Sequence, residues 1–176
     1  KKPNDVRTIY EKIKILIFTN KHKEALQVGD IFLDQFPVES NEIMYGDNDQ
    51  PMTFEIQLAA ICQIVAKKIL MEEKSQHLFL YENNQNKIFV KNELGLESKS
   101  LLEKSLFHID NSISDRSQYD WGNALAIKQK SLVFLGQFKE SLVLLDELLL
   151  NRQDYLLNRE KIFVLFCLNR YKEVLK

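Results

Sequence analysis

The sequence contains few of the residues from which catalytic and metal sites are usually built. Among its 176 residues there are only five glycines, two cysteines and three histidines. It has no glycine-rich phosphate loop, no nucleophile elbow and no order of Ser, His and Asp typical of a hydrolase. The three histidines fall in three different predicted elements, so no spacing of metal ligands recurs. These absences predict a protein that is not an enzyme and that binds neither a cofactor nor a metal ion.

Charge of one sign and long apolar runs are also lacking. The 24 basic and 25 acidic side chains leave a formal net charge of −1, so no overall field would attract nucleic acid or anionic lipid. No apolar run reaches about 18 residues, and no signal-peptide pattern opens the sequence. Cys62 and Cys167 occur in apolar, helix-like surroundings without a CxxC or Cys/His spacing, which predicts reduced, buried thiols. We expect a cytoplasmic protein whose partners are other proteins, with no bound nucleic acid and no membrane-inserted segment.

What the sequence does contain is helical periodicity arranged in hairpins. Residues 121–154 carry apolar side chains at helical spacing in two blocks that meet at Gly136-Gln137. Because a single helical hairpin cannot bury the apolar faces of both its helices, this pattern predicts that several hairpins stack. The junction recurs along the chain. Three segments share the order aromatic or His, Lys, Glu, small or aliphatic, aliphatic, and they lie at residues 136–142, 169–175 and 20–26.

The spacing of these junctions resembles that of the tetratricopeptide repeat family. Phe138 and Tyr171 are 33 residues apart, close to the family's period of about 34 residues. In the family, a small residue lies in the opening turn of the second helix and a proline ends the repeat; Ala25 and Pro37 match these two positions. The resemblance implies an all-α, tetratricopeptide-like solenoid with a concave protein-binding face. The sequence departs from the family pattern at Gln129, Ser141, Gln153 and Val174.

The hairpins divide the sequence into three parts of one continuous solenoid. Residues 1–37 predict a first hairpin, residues 38–118 an insertion, and residues 119–176 two tandem hairpins of which the last is truncated. Since the last hairpin stops inside its second predicted helix, we expect a longer protein. In the first hairpin, Gly29 lies inside a predicted helix, where glycine is unfavourable, so we expect a neighbouring helix to approach closely there.

The insertion is predicted to be irregular. Residues 38–50 are acidic and turn-rich without periodicity, which indicates a loop. One helix is predicted from Pro51 to about residue 74 and a second at residues 97–113. Between them, residues 78–91 contain two runs rich in aromatic and β-branched residues around four polar residues. This pattern fits either a β-hairpin or a loop between helices.

Aromatic residues of the insertion are the first candidates for partner binding. Phe79, Tyr81 and Phe89 lie where apolar residues alternate poorly with polar ones, so one side of the segment needs to be covered. A partner-binding arm and simple packing onto the solenoid both remain open.

The first helices of the hairpins supply the other candidates, which are Tyr10, Lys14 and Lys128. Members of the family that bind chaperones hold a peptide carboxylate with Lys, Asn and Arg on these helices. Tyr10, Lys14 and Ile127 occupy the corresponding sites here, so we expect no carboxylate clamp of that type.

The order of the segments is also similar to that of the tetratricopeptide subunit of the TRAPP vesicle-tethering complex. That resemblance rests on four segments: the degenerate first hairpin, the acidic loop, the predicted helix whose sequence begins PMTFEIQLA at residue 51, and the tandem hairpins. It implies a scaffold subunit of an intracellular complex, with a role in vesicle tethering and no enzymatic activity of its own. Two alternatives remain open, an adaptor that reversibly binds short linear peptide motifs and a regulatory repeat domain of a larger enzyme. A large apolar surface would favour the scaffold, and a narrow polar groove would favour the adaptor.

Overall fold

The computed structural model describes residues 5–36, 43–45, 51–72, 94–112, 121–151 and 154–174. These residues are predominantly helical, and the predicted all-α class is confirmed at that level. The helices are α1 (Val6–Phe18), α2 (His22–Gln35), α3 (Phe54–Glu72), α4 (Leu96–Ser112), α5 (Trp121–Phe134), α6 (Phe138–Asn151), α7 (Tyr155–Cys167) and α8 (Tyr171–Val174). Two short strands, β1 (Ile43–Tyr45) and β2 (Pro51–Thr53), precede α3.

The strands correct two details of the predicted insertion. β1 pairs antiparallel with β2, with Ile43 opposite Thr53, so the prediction of a loop was wrong for residues 43–45. The helix predicted from Pro51 begins instead at Phe54. Its start is explained by Thr53, whose hydroxyl accepts a hydrogen bond from the Ile56 N–H at 3.3 Å, as an N-cap residue does. The β-hairpin considered for residues 78–91 lies outside the described residues.

The core consists of four apolar clusters that follow one another along the chain. The first joins α1, α2 and α3, and two further clusters join α3, α4 and α5. The fourth joins α5, α6, α7 and α8. Each helix therefore packs mainly against helices that are near it in sequence, with α3 also contacting α5.

Polar side chains link helices that are two apart in the chain. Between α2 and α4, Lys104 Nζ lies 2.5 Å from an Asp30 carboxylate oxygen and Lys23 Nζ lies 3.4 Å from Glu97 Oε1. Between α3 and α5, the Gln63 side chain donates to the carbonyl of Ile127 at 2.8 Å. α2 thus lies beside α4, and α3 lies beside α5.

The three junctions aligned in sequence have one backbone conformation. Asn20, Gly136 and Asn169 each adopt a left-handed conformation, with φ of 62°, 75° and 59°. In each turn the N–H of this residue donates to the carbonyl three residues before it at 3.0 Å, and the next N–H donates five residues back at 2.7–2.9 Å. This pair of hydrogen bonds defines the Schellman motif, which favours Gly and Asn at the left-handed position. The alignment therefore identifies three copies of the same helix-ending turn.

The second helices of two hairpins also bury equivalent positions. In α2 the buried residues are Ala25, Leu26, Gly29 and Phe32. In α6 they are Ser141, Leu142, Leu145 and Leu148, each 116 residues after its counterpart. The expected close approach at Gly29 is confirmed, because a Cβ atom added there would lie 2.6 Å from Cδ1 of Leu58 in α3.

Candidate interaction surface

Tyr10 and Lys14 lie together on α1. The Lys14 ammonium is 5.4 Å from the centroid of the Tyr10 ring, within the range of a cation–π interaction. It is also 3.5 Å from Glu11 Oε1, three residues earlier. The half-buried Tyr10 ring packs against the first apolar cluster. The structure therefore presents Tyr10 and Lys14 as one preassembled patch on the first helix.

Lys128 has a different environment from these two residues. It lies on α5, where its ammonium forms a short ion pair with Asp110 of α4. The contact that the structure shows for Lys128 thus links α5 to α4. Phe79, Tyr81 and Phe89 lie outside the described residues.

A buried polar network fixes α3, α4 and α5 against one another. The side-chain amide of Gln63 donates to Ser131 Oγ at 2.9 Å, and Ser131 Oγ lies 3.2 Å from Ser105 Oγ. Ser105 also donates to the carbonyl of Ala59 at 2.9 Å. Both serines are fully buried, and buried polar groups that satisfy one another specify a single packing arrangement. The sequence offered only a weak signal for this network, namely serines at helical spacing on otherwise apolar faces.

A second polar cluster joins the start of α3 to the end of α4. Glu55 accepts hydrogen bonds from Asn111 at 3.4 Å and from Ser112 at 3.2 Å, and it lies 3.5 Å from Nδ1 of the buried His108. Ser112 Oγ also lies 2.8 Å from the carbonyl of His108, so its single proton is shared between this carbonyl and Glu55. The cluster ties the two helices together.

The two thiols differ in exposure. Cys62 is buried as predicted, whereas Cys167 is only half-buried, which corrects the prediction for that residue. Burial raises the pKa of Cys62 to about 12, and burial likewise raises the pKa of Cys167 to about 11. Both thiols therefore stay protonated at neutral pH, which makes them weak nucleophiles and weak metal ligands.

Within the described ranges, no group of three or more His, Cys, Asp or Glu side chains is placed to hold a metal ion. The helices of those ranges also include none that is both long and apolar enough to cross a membrane.

Exposed apolar side chains concentrate on α7 and α8, which the sequence interpretation missed. The described residues contain fourteen large apolar side chains that are exposed, and five of them lie between residues 155 and 171. Four of these five form what we call the apolar stripe: Tyr155, Ile162, Phe166 and Tyr171. The first three recur at helical spacing on one face of α7, and the ring of Phe166 meets that of Tyr171 edge to face with centroids 5.0 Å apart. Exposed apolar side chains grouped in this way can mark protein contacts.

Comparison of the chain with family models, with curated proteins and with solved structures gave no match.

Proposed function

We propose that the chain is a tetratricopeptide-like stack of helical hairpins that acts as a non-enzymatic scaffold subunit in an intracellular multiprotein complex. The observation that carries this proposal is the repeated backbone: three identical Schellman turns, at Asn20, Gly136 and Asn169, each join two helices. The equivalent buried positions of α2 and α6 support the same proposal.

A stack of this kind has a property that suits a scaffold. Its core is assembled from successive local clusters, so its length is not limited by a single centre and it offers extended surfaces. In a tetratricopeptide-like stack the odd-numbered helices would line one face. Exposed or half-exposed side chains of α1 (Tyr10, Lys14) and α3 (Ile64, Met71) would form a row along it. A peptide or a helix of another protein would bind along such a row.

The exposed apolar side chains favour a constitutive subunit over a reversible adaptor. A stable assembly covers apolar surface permanently, whereas an adaptor for short charged motifs relies on polar contacts that salt weakens. The patch of Tyr10 and Lys14 supports the adaptor as the second candidate. Vesicle tethering is the pathway that we propose for the scaffold, on the resemblance of segment order alone.

The test is affinity purification of the full-length protein from its native cell at about 0.1 M and about 1 M salt, which differ strongly in screening. Mass spectrometry and size-exclusion chromatography then identify what co-elutes. A stoichiometric set of proteins that survives high salt supports the scaffold, and vesicle-tethering subunits among them support the pathway. A monomer that loses substoichiometric partners as salt rises would support the adaptor and contradict the scaffold.

A further inference from the structure

The central helix α3 has one side that its neighbours leave exposed. Three neighbours contact it on different sides: α4 contacts Glu55, α5 contacts Gln63, and the α1–α2 turn contacts Lys68. Ile64 comes nine residues after Glu55, about two and a half helical turns, so it points away from α4. Met71 lies on the same side, seven residues after Ile64. These two apolar side chains are 55% and 46% exposed.

The exposed side of α3 continues onto α5. Lys128 of α5 pairs with Asp110 of α4, and Lys130 follows two residues later, a rotation of about 200° around the helix. The exposed Lys130 therefore points away from α4, as Ile64 does. Since α3 lies beside α5 and α4 contacts both, the two sides form one surface. We call this surface the open face and define it by Ile64, Lys67 and Met71 of α3 and Lys130 of α5.

The open face combines apolar and basic side chains. Lys67 comes three residues after Ile64 and four before Met71, so it lies between them on the helix surface. Within the part of the chain that the structure describes, Lys67 forms no ion pair. α3 has no acidic residue between Glu55 and Glu72, and α5 has none at all. The positive charge of the open face is thus not balanced by an acidic residue of that face.

The two equivalent hairpins separate their charges in the same direction. α1 contains three basic residues and one acidic residue, and α5 contains two basic residues and no acidic one. The second helices are the reverse, because α2 and α6 each contain one basic and three acidic residues. Lys14 of α1 and Lys130 of α5 hold equivalent positions, 116 residues apart. Positive charge is therefore concentrated on the first helices of these hairpins although the whole chain has a net charge of −1.

Resting on the proposed scaffold function, we propose that the open face binds an acidic segment of another protein. Apolar side chains of that segment contact Ile64 and Met71, which are about 10 Å apart along α3. Its carboxylates face Lys67 and Lys130, which orient the segment and exclude basic competitors. The apolar contacts hold the segment at high salt, where the charge contacts are screened.

Nucleic acid and a second copy of the chain fit the open face less well. A phosphodiester backbone would pair with the lysines but would leave the two apolar side chains uncovered. The acidic helices of a second copy already use carboxylates within their own chain, since Asp30 pairs with Lys104 and Asp146 with Lys161. An acidic segment of a different protein supplies both the apolar contacts and the available carboxylates.

The first step of the test places p-benzoylphenylalanine, a photo-crosslinking amino acid, at Ile64 of the full-length protein in its native cell. The matched control places it at Val143, which is 65% exposed on the acidic helix α6. Irradiation is expected to join position 64 to one segment of another protein in which acidic residues outnumber basic ones around the apolar residues. The yield at position 143 should be lower.

The second step measures binding of a synthetic peptide of that segment. Lys67 is the residue to change, because Lys130 also acts on the half-buried Glu160 of α7. The peptide should bind Lys67→Glu about tenfold or more weakly than the wild type. Lys139→Glu makes the same charge change at an exposed site of α6 and should bind the peptide as the wild type does. A peptide whose acidic residue nearest the crosslink is replaced by lysine should recover binding to Lys67→Glu.

Several outcomes would overturn the proposal. Crosslinks within the chain would mean that its own residues cover the open face, crosslinks to a second copy would mean self-association, and a yield no higher than at position 143 would mean that nothing docks there. Equal affinity of the peptide for the wild type and Lys67→Glu would exclude the charge contact. Tighter binding of a single-stranded RNA oligonucleotide than of the peptide would identify a nucleic-acid surface instead.

The scaffold function and the open face can fail separately. The double variant Ile64→Asp/Lys67→Glu is purified from the native cell beside Val143→Asp/Lys139→Glu, and both should keep the wild-type circular dichroism spectrum because the changed side chains are exposed or half-buried. Loss of one component from the first variant alone is expected. A complete salt-resistant complex in both variants would refute the open face while the scaffold stands. No such complex in the wild type would refute the scaffold itself.

Discussion

Hairpins α1–α2 and α5–α6 share one backbone frame but fill it with different side chains. At the first pair of equivalent interior positions, hairpin α1–α2 has Ile13 and Ala25, both fully buried in one apolar cluster. Hairpin α5–α6 has Gln129 and Ser141 there, and the glutamine amide donates to the serine hydroxyl at 3.2 Å. The two polar side chains therefore compensate each other in part, because the serine hydroxyl accepts the hydrogen bond that the glutamine amide donates.

A further position shows another way to fill the same frame. Leu145 of α6 fills its position with its own side chain and is fully buried. At the equivalent position of α2, Gly29 has no side chain, and Leu58 of α3 occupies the space instead. The comparison teaches that the repeat fixes where the backbone lies and which positions are buried. The side chains at neighbouring positions then determine how the interior volume is filled and which hydrogen bonds form there.

The largest effect is expected from a charge placed at the shared buried positions. Ala25→Asp and Leu145→Asp, one in each hairpin, should each lower the free energy of unfolding by at least about 4 kcal/mol, because each buries an unpaired carboxylate. Urea denaturation followed by circular dichroism measures this loss. Val143→Asp is the control, since Val143 is 65% exposed on the same helix as Leu145; it should change stability by less than about 0.5 kcal/mol. A stable, cooperatively folded Leu145→Asp would contradict the common frame.

The next largest effect on stability is expected at the polar pair of hairpin α5–α6, Gln129 and Ser141. Ser141→Ala removes the acceptor of the buried Gln129 amide, whose oxygen already lacks a hydrogen-bond partner. We expect a loss of about 1–3 kcal/mol. The double variant Gln129→Leu/Ser141→Ala, which imitates the apolar fill of hairpin α1–α2, should recover most of that loss. Denaturant titration of the full double-mutant cycle measures the coupling, and additive single effects would show that the two side chains are independent.

The close contact between Gly29 and Leu58 predicts a smaller loss of stability when a side chain is added at Gly29. Gly29→Ala gains about 1 kcal/mol of helix propensity but places a methyl group against Leu58, and such overpacking costs about 1–3 kcal/mol. We expect a net destabilisation of about 1 kcal/mol, measured as a lower urea midpoint. Leu58→Val in the same chain should relieve the clash, so the double variant should lose less than the two single variants added together.

The repeated turns predict that two substitutions at Gly136 will differ in how much they lower stability. Gly136 has a φ of 75°, and a Cβ atom there would meet nothing within 4 Å, so only the backbone conformation opposes a side chain. Gly136→Ala should cost about 1–2 kcal/mol. Gly136→Asn should cost less, since asparagine holds the same position in the other two turns. Thermal melts of the two variants side by side decide this, and equal losses would mean that the turns are not equivalent.

The smallest effect concerns Glu160 of α7, and it depends on pH. Burial raises the pKa of its carboxyl above the ordinary value, although Lys130 and Arg159 oppose the shift. A folded state with the higher pKa binds the proton more tightly than the unfolded state, so stability falls as pH rises above the ordinary pKa and through the raised one. Glu160→Gln should therefore raise the melting temperature slightly at pH 7 and less at pH 4. An equal gain at both values would exclude this linkage.

The sequence predicted the parts of the fold that depend on local chemistry. The left-handed residue of each turn is Gly or Asn, which made the three junctions recognisable. The close approach at Gly29 was also predictable, because glycine inside a helix requires a reason. The strands β1 and β2 were missed since three-residue strands show too little alternation to recognise.

The candidate surface was less predictable because helical spacing shows which residues share a face but not which face has a neighbour. The exposure of Ile162 and Phe166 depends on the absence of a described helix over them, which helical spacing alone does not show. The bond between Gln129 and Ser141 joins residues twelve apart on two helices, so only the folded hairpin reveals it. Lys128 could be placed on its helix but not paired with Asp110.

The succession of apolar clusters also governs how the described helices would open. α3, α4 and α5 each contribute to three of the four clusters, α4 through Leu101 in the first and α5 through Val133 in the fourth, whereas α1 and α7 contribute to one each. Breaking one cluster therefore releases an outer helix without disturbing the others, while a central helix is released only when three clusters are lost. The amide hydrogens of α3, α4 and α5 should exchange most slowly with solvent, and protection should decline toward α1 and α7. Under tension or mild denaturant such a chain would fray from the flanks inward and re-form around these three helices as its template.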